Sequence, residues 1–170
     1  MFFLPMQHKT AGLSHNPLKA IVSPRPIAWV SSRGADGSIN LAPYSFFNAV
    51  SEDPAMLFFS AEVLAGGQRK DSLRNIEETG EFTVNVVGEA QFDAMNISSG
   101  NFPYGDNEFI HAGLEMVASE TVATPRVGGA AAADRLADAP AHLRFVNPFR
   151  KDDEFDVGHR VDIKLQFEVC

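Results

Sequence analysis

Apolar positions along this chain recur in two rhythms. Around Ile27–Ser32, Trp29 alternates with Ala28 and Val30 in a run rich in β formers, and Asp36-Gly37 follows as a hairpin-type turn. Strands are therefore expected near residues 27–33 and 38–42. Residues 55–61 (AMLFFSA) form a nearly continuous apolar run, the pattern of a strand covered on both faces. Residues 81–87 (EFTVNVV) place Phe82, Val84 and Val86 on one side, and residues 161–169 (VDIKLQFEV) alternate to the end of a last predicted strand. The rhythm changes over Asp71–Thr79, where Leu73 and Ile76 share a helical face, Asp71 or Ser72 stands as N-cap and Gly80 marks the stop.

A second helix is expected over residues 89–97, a loop over 98–107 and a helical turn over 108–112. Residues 1–20, with Pro5, Gly12, Asn16 and Pro17, read as an extended arm, and residues 62–69, with Gly66-Gly67, as a loop. GGAAAADRLADAPAH, residues 128–142, is poor in large apolar side chains and reads as a loose helix or a loop. No repeat or Pro/Ser linker divides the chain. The pattern predicts one mainly β domain over residues 1–170, a β-barrel carrying a few helices.

Composition narrows the function. A chain of 170 residues buries a core without staples, and its net charge of −8 offers no basic stripe for nucleic acid. The lone cysteine, Cys170, permits no internal disulfide, which fits a reducing compartment. The apolar start MFFLPMQHK lacks the features of a signal peptide, and no run of apolar residues is long enough to span a membrane. A cytoplasmic protein is expected.

Several chemistries lack their motifs. There is no G-x-G-x-x-G, P-loop or G-x-S-x-G, and His8, His15, His111, His142 and His159 show no metal-ligand spacing. The acidic run Asp152, Asp153, Glu154, Asp156 has Gly158 one place late and Ile163 at the closing position of a calcium loop, so it reads as a solvated turn.

Two segments carry positive signals. In residues 40–48, Asn40, Ser45 and Asn48 are interleaved with Tyr44, Phe46 and Phe47, and Pro43 stiffens the backbone, so this reads as a polar-aromatic loop suited to a flat ligand with polar edges. Arg69-Lys70-Asp71-Ser72 joins two cations and a hydroxyl to a helix start, where amide N–H groups and the helix dipole favour phosphate. Read singly, the first could be core packing and the second a simple cap. Together they describe a site for flavin mononucleotide (FMN) or pyridoxal phosphate. A lysine aldimine would serve the latter, but Lys70 is wanted for the phosphate.

The segments LSHNPLKAIVSPRPIAWVSS, NLAPYSFFNAVSEDP, KDSLRNIEETGEFTVNVV and AMNISSGNFPYGDNEFIHAGL resemble, in consistent order from Leu13 to Val127, the flavin reductase-like family of FMN-binding split barrels. The resemblance implies a Greek-key split β-barrel with a few peripheral helices, a homodimer with flavin sites near the subunit interface. Arg25, Pro26 and Ala28, with Asn40, Ala42, Pro43, Tyr44, Ser45, Phe46 and Phe47, would line the isoalloxazine and ribityl chain. Ser60, Arg69, Lys70, Asp71 and Ser72 would surround the phosphate. The backbone N–H groups of residues 42–45 and the Ser45 hydroxyl would face the flavin's polar edge. The implied activity is hydride transfer from NADH or NADPH to FMN, with an oxygenase as the possible recipient of reduced flavin and no side chain acting as strong acid or base. The rival reading is a non-catalytic FMN-binding or flavin-storage dimer. From residue 128 the chain departs from the pattern, and the barrel's last elements are expected to be missing or rewritten.

Overall fold

Trp29, Ala28 and Val30 explain the architecture, because a strand sends successive side chains to opposite faces. The computed structural model describes residues 7–53, 55–61, 67–130, 132–135, 142–143, 161–162 and 166–169. Strand β1 (Ala28–Arg33) lies between β2 (Ile39–Tyr44) and β5 (Phe82–Asn85) in an antiparallel three-stranded sheet. Its Ala28 and Val30 enter one core with Tyr44, Phe59, Ile76, Phe82 and Val84. Trp29 enters a second core with Leu41, Met95, Phe109, Val127 and Ala130. The first core is covered by helix α2 (Asp71–Thr79), which contributes Ile76; the second by α3 (Phe92–Ser98) and α4 (Glu108–His111), which contribute Met95 and Phe109.

The remaining strands form two-stranded ribbons. β3 (Phe47–Glu52) pairs with β4 (Ala55–Phe59), with a register shift between Ala49 and Ser51. β6 (Met116–Val117) pairs with β7 (Arg126–Val127). β8 (Ala132–Arg135) pairs with β11 (Gln166–Val169), and β9 (His142–Leu143) with β10 (Val161–Asp162). β8 lies beside β5, and β9 beside β4.

The predicted hairpin forms between β1 and β2. Its tip is longer than a two-residue turn: Gly34 N–H donates to Ser38 O at 2.8 Å and Gly37, at φ 88°, donates to Gly34 O at 2.9 Å. Asp36 accepts from both the backbone N–H and the hydroxyl of Ser38. Tyr104, from the loop before α4, lies at this tip, with its hydroxyl 3.4 Å from Asp36 Oδ2 and the Arg74 guanidinium 4.0 Å from its ring centroid.

Several expectations change. The second strand, expected over 38–42, runs on through Pro43 and Tyr44 of the segment read as a polar-aromatic loop, and only Ser45 and Phe46 form the bend before β3. The arm over residues 1–20 contains turns and the short helix α1 (Leu18–Ile21), while residues 1–6 lie outside the described residues. Val86 is exposed because β5 ends at Asn85, so the alternation overran the strand. β4 is covered less than its apolar run implies, since Leu57 and Phe58 are only half-buried. Neither Asp71 nor Ser72 caps α2: Lys70 holds the N-cap position in extended conformation. The Ala-rich run contains the strand β8 instead of a helix, because a ladder with β11 supplies the regularity its composition lacks. Likewise residues 161–169 are two pieces, β10 and β11, with different partners. The acidic run at 152–156, Cys170 and residues 62–66 lie outside the described residues.

Candidate functional site

The aromatic and cationic segments of the sequence meet where β2 turns into β3 and α2 begins. Tyr44 ends β2 only 5% exposed, its ring tilted against Phe59 at 5.0 Å between centroids. Lys70 places Nζ 5.3 Å from the Tyr44 ring centroid, within cation–π range. Phe46, at the bend, has two cations within reach of its ring: Arg25 at 5.7 Å and Lys19 of α1 at 6.0 Å. Arg25 is held there by donating to the carbonyls of Lys19 and Val22, and its buried Nε has no acceptor. Ser60 N–H donates to Phe46 O at 2.8 Å, which ties the end of β4 to the bend.

Beneath this surface lies a buried polar chain. Ser72, 1% exposed, has its hydroxyl 2.7 Å from the side-chain amide of Asn40. The other end of that amide is 3.1 Å from Glu108 Oε1. Glu108 Oε2 accepts the Leu41 backbone N–H at 2.8 Å. The reason is strand geometry. In an antiparallel edge strand alternate N–H groups point away from the partner, and Leu41 points away from β1. Glu108 satisfies that group, while Pro43, two residues on, has no N–H to satisfy. By the same alternation the N–H groups of Ala42 and Tyr44 face β1. Of the positions 42–45 expected to donate to a ligand, only Ser45 retains a backbone N–H outside the ladder.

Charge follows burial. Desolvation pushes the Tyr44 phenol up to about 12, against a hydrogen bond from Ser72 that lowers it and with Asp71 and Glu108 adding to the rise. Burial also raises the Glu108 carboxyl, opposed by the Leu41 N–H. Asp71 is raised by desolvation, with Arg74 opposing.

The expected site residues thus divide. Tyr44, Lys70, Asn40 and Ser72 are brought together, Phe46 stands at the adjoining bend against Arg25 and Lys19, and Ser45, Phe47, Ser60 and Asp71 are half-buried. Ala28 is wholly buried in the core and Ala42 packs against it, so their side chains shape the site from behind. Pro43 is half-buried opposite Trp29, and Pro26 is exposed ahead of β1. Arg69 is turned along α2 to an ion pair with Glu77. Sequence reasoning missed Lys19 and Glu108. Lys19 sits within the resembling segment LSHNPLKAIV, but Glu108 gave no local signal, since its burial depends on a strand 67 positions away.

The residues fit a phosphorylated planar ligand. The first turn of α2 has no side-chain cap bond, so its leading N–H groups have no partner within the helix, and Lys70 stands at that turn. The Arg25 Nε without an acceptor lies beside the Phe46 face.

The chain is similar to several known proteins. Residues 22–135 match the flavin reductase like domain. An uncharacterized protein of Aquifex aeolicus is 43% identical over 107 residues, covering 63% of this chain and 55% of that protein. The chain spans about half the length of the curated relatives it matches. Nitrilotriacetate monooxygenase component B from Bacillus cereus superposes with a TM-score of 0.65 at 31% identity, covering 78% of this chain and 65% of that one. A Shewanella frigidimarina protein with a split barrel domain superposes with a TM-score of 0.61 at 17% identity, covering 78% of this chain and 66% of that one. The fold is a mainly β split barrel with a few helices. Among the described residues no helix is long and apolar enough to cross a membrane.

Proposed function

Because this chain belongs to the flavin reductase-like family, we propose that it binds FMN and works as an NADH- or NADPH-dependent FMN reductase. The observation that carries this reading is the meeting of Lys70, at the uncapped start of α2, with the aromatic face of Tyr44, two residues before Phe46. When bound, FMN supplies the two-electron acceptor for hydride from the nicotinamide. The chain's own residues bind and orient. Lys70 and the first N–H groups of α2 hold the phosphate, with Asp71, Ser72 and Ser60 around it. Phe46 and Phe47 offer apolar contact to the ring, Arg25 keeps the Phe46 face in place, and the N–H and hydroxyl of Ser45 donate to the ring's polar edge.

The protein acts as a homodimer in a reducing, cytoplasmic setting, and reduced flavin passes to an oxygenase component. Support for that partner is the likeness to component B of a monooxygenase. The test is direct. The purified protein should bind FMN, seen as quenching of flavin fluorescence, and should consume NADH or NADPH only when FMN is present. A protein that binds FMN and oxidises neither nucleotide would be a flavin carrier instead.

A further inference from the structure

Glu108 has no place in the binding list above, yet it is the far end of the hydrogen-bond chain that reaches Ser72. We propose that Glu108 is a positioning residue that sets, through the Asn40 amide, whether the Ser72 hydroxyl is free to donate to the ligand's phosphate. This rests on the FMN reading of the site.

The chain has two hydrogen-bonding patterns with the same heavy-atom positions, of which the first also lets the Asn40 oxygen accept from the Leu41 N–H at 3.2 Å. With Glu108 ionised, the Asn40 nitrogen donates to Glu108 Oε1 across 3.1 Å, and the Asn40 oxygen accepts the Ser72 hydroxyl across 2.7 Å. The Ser72 proton is then committed to Asn40. With Glu108 protonated, the carboxyl donates to the Asn40 oxygen, and the Asn40 nitrogen donates to Ser72 Oγ across 2.7 Å. Ser72 has then received a hydrogen bond, and its own proton is shared between the Tyr44 oxygen and an acceptor at the start of α2. In both patterns Glu108 Oε2 keeps the Leu41 N–H at 2.8 Å. No atom needs to move more than an amide rotation, and no buried polar group of Asn40 is left unpaired in either state.

The electrostatic surroundings favour the protonated carboxyl. Burial raises the carboxyl above its ordinary range, Asp71 on α2 raises it further, and His111 on its own helix opposes. Tyr44, the one titratable residue of β2, stays neutral up to about pH 12. Asp93, the one titratable residue of α3, is exposed.

The experiment measures the FMN dissociation constant by fluorescence quenching from about pH 4.5 to pH 8 for wild type, Glu108→Gln and Ser72→Ala. Glutamine keeps the protonated pattern at all pH: its oxygen accepts from Leu41 and its nitrogen donates to Asn40. Titration of the FMN phosphate is common to all three proteins and cancels in the ratios. Glu108→Gln should bind FMN about tenfold more tightly than wild type at pH 8 and equally at the acid end. The weakening of FMN binding by Ser72→Ala should be about tenfold larger at the acid end than at pH 8. Apoprotein melting temperatures identify any variant that fails to fold, and either variant alone can overturn the proposal. Ratios that do not change with pH, in a wild type that binds FMN, overturn the relay and leave the site reading intact. A wild type that binds no FMN at any pH overturns both.

Discussion

Tyr44 keeps its proton because its ring is packed against Phe59 and under Lys70, away from water. Its phenol is raised from the ordinary value near 10 to about 12. A group raised in the folded state contributes stability that is complete below the unfolded value and is lost as pH rises through the folded one. Between about pH 10 and pH 12 wild type should therefore lose about 3 kcal/mol that Tyr44→Phe does not lose. Urea unfolding at several alkaline pH values checks this, and equal losses would mean a solvated phenol. The two cations before α2 differ just as clearly. Lys70→Ala should weaken FMN binding by about 1.5–3 kcal/mol, whereas Arg69→Ala, already paired with Glu77 at the surface, should cost under about 1 kcal/mol. Isothermal titration would distinguish them; equal effects would put Arg69 on the phosphate. Adjacent residues of one charge could not be separated in the sequence, because the distinction depends on which way each side chain leaves the backbone. Ser72 was misread as a possible cap for a similar reason: its partner is Asn40, on another strand.

At the scale of elements, the span of α2 and its C-terminal stop were legible, while its N-cap was not. Its apolar spacing, and the glycine that closes it, are properties of neighbouring residues. Gly80 adopts φ 74° and donates to Ile76 O at 2.8 Å, a left-handed C-cap that a side chain disfavours. Gly80→Ala should cost about 1 kcal/mol in thermal unfolding, with FMN affinity unchanged. β8 was illegible. Four residues reading Ala-Ala-Asp-Arg have neither strand period nor strand composition, and their pairing with β11 is a long-range fact. β2 was half-legible: its start followed from the hairpin, but Pro43 and the polar residues argued for loop. On an edge strand an outward-facing proline removes an unpaired donor, so the same residue that suggested a loop suits the strand.

For the whole molecule, β1 is where the two cores meet, and Asn85 fastens that junction. Wholly buried, its amide donates to Trp29 O at 2.9 Å and Ser31 Oγ at 3.2 Å and accepts from Val127 N at 2.8 Å. Asn85→Ala would leave several buried groups unpaired and should cost about 3 kcal/mol or more in equilibrium unfolding, weakening both cores together. A loss below about 1 kcal/mol would show that water replaces the amide. The hairpin tip carries a different lesson. A Cβ at Gly34 would stand 2.6 Å from Ser38 Oγ and 2.7 Å from Asp36 Oδ1, so the Ser38 and Asp36 side chains that close the tip would have to shift. Tyr104 spans from this tip to Arg74 on α2, and its loop runs on to Asn107, which caps α4 by accepting the Phe109 N–H. An epitope grafted between Asp36 and Gly37 would therefore not hang from a free end. It would pry apart a three-way joint, and the disturbance would travel along one short loop to the helix that carries Glu108.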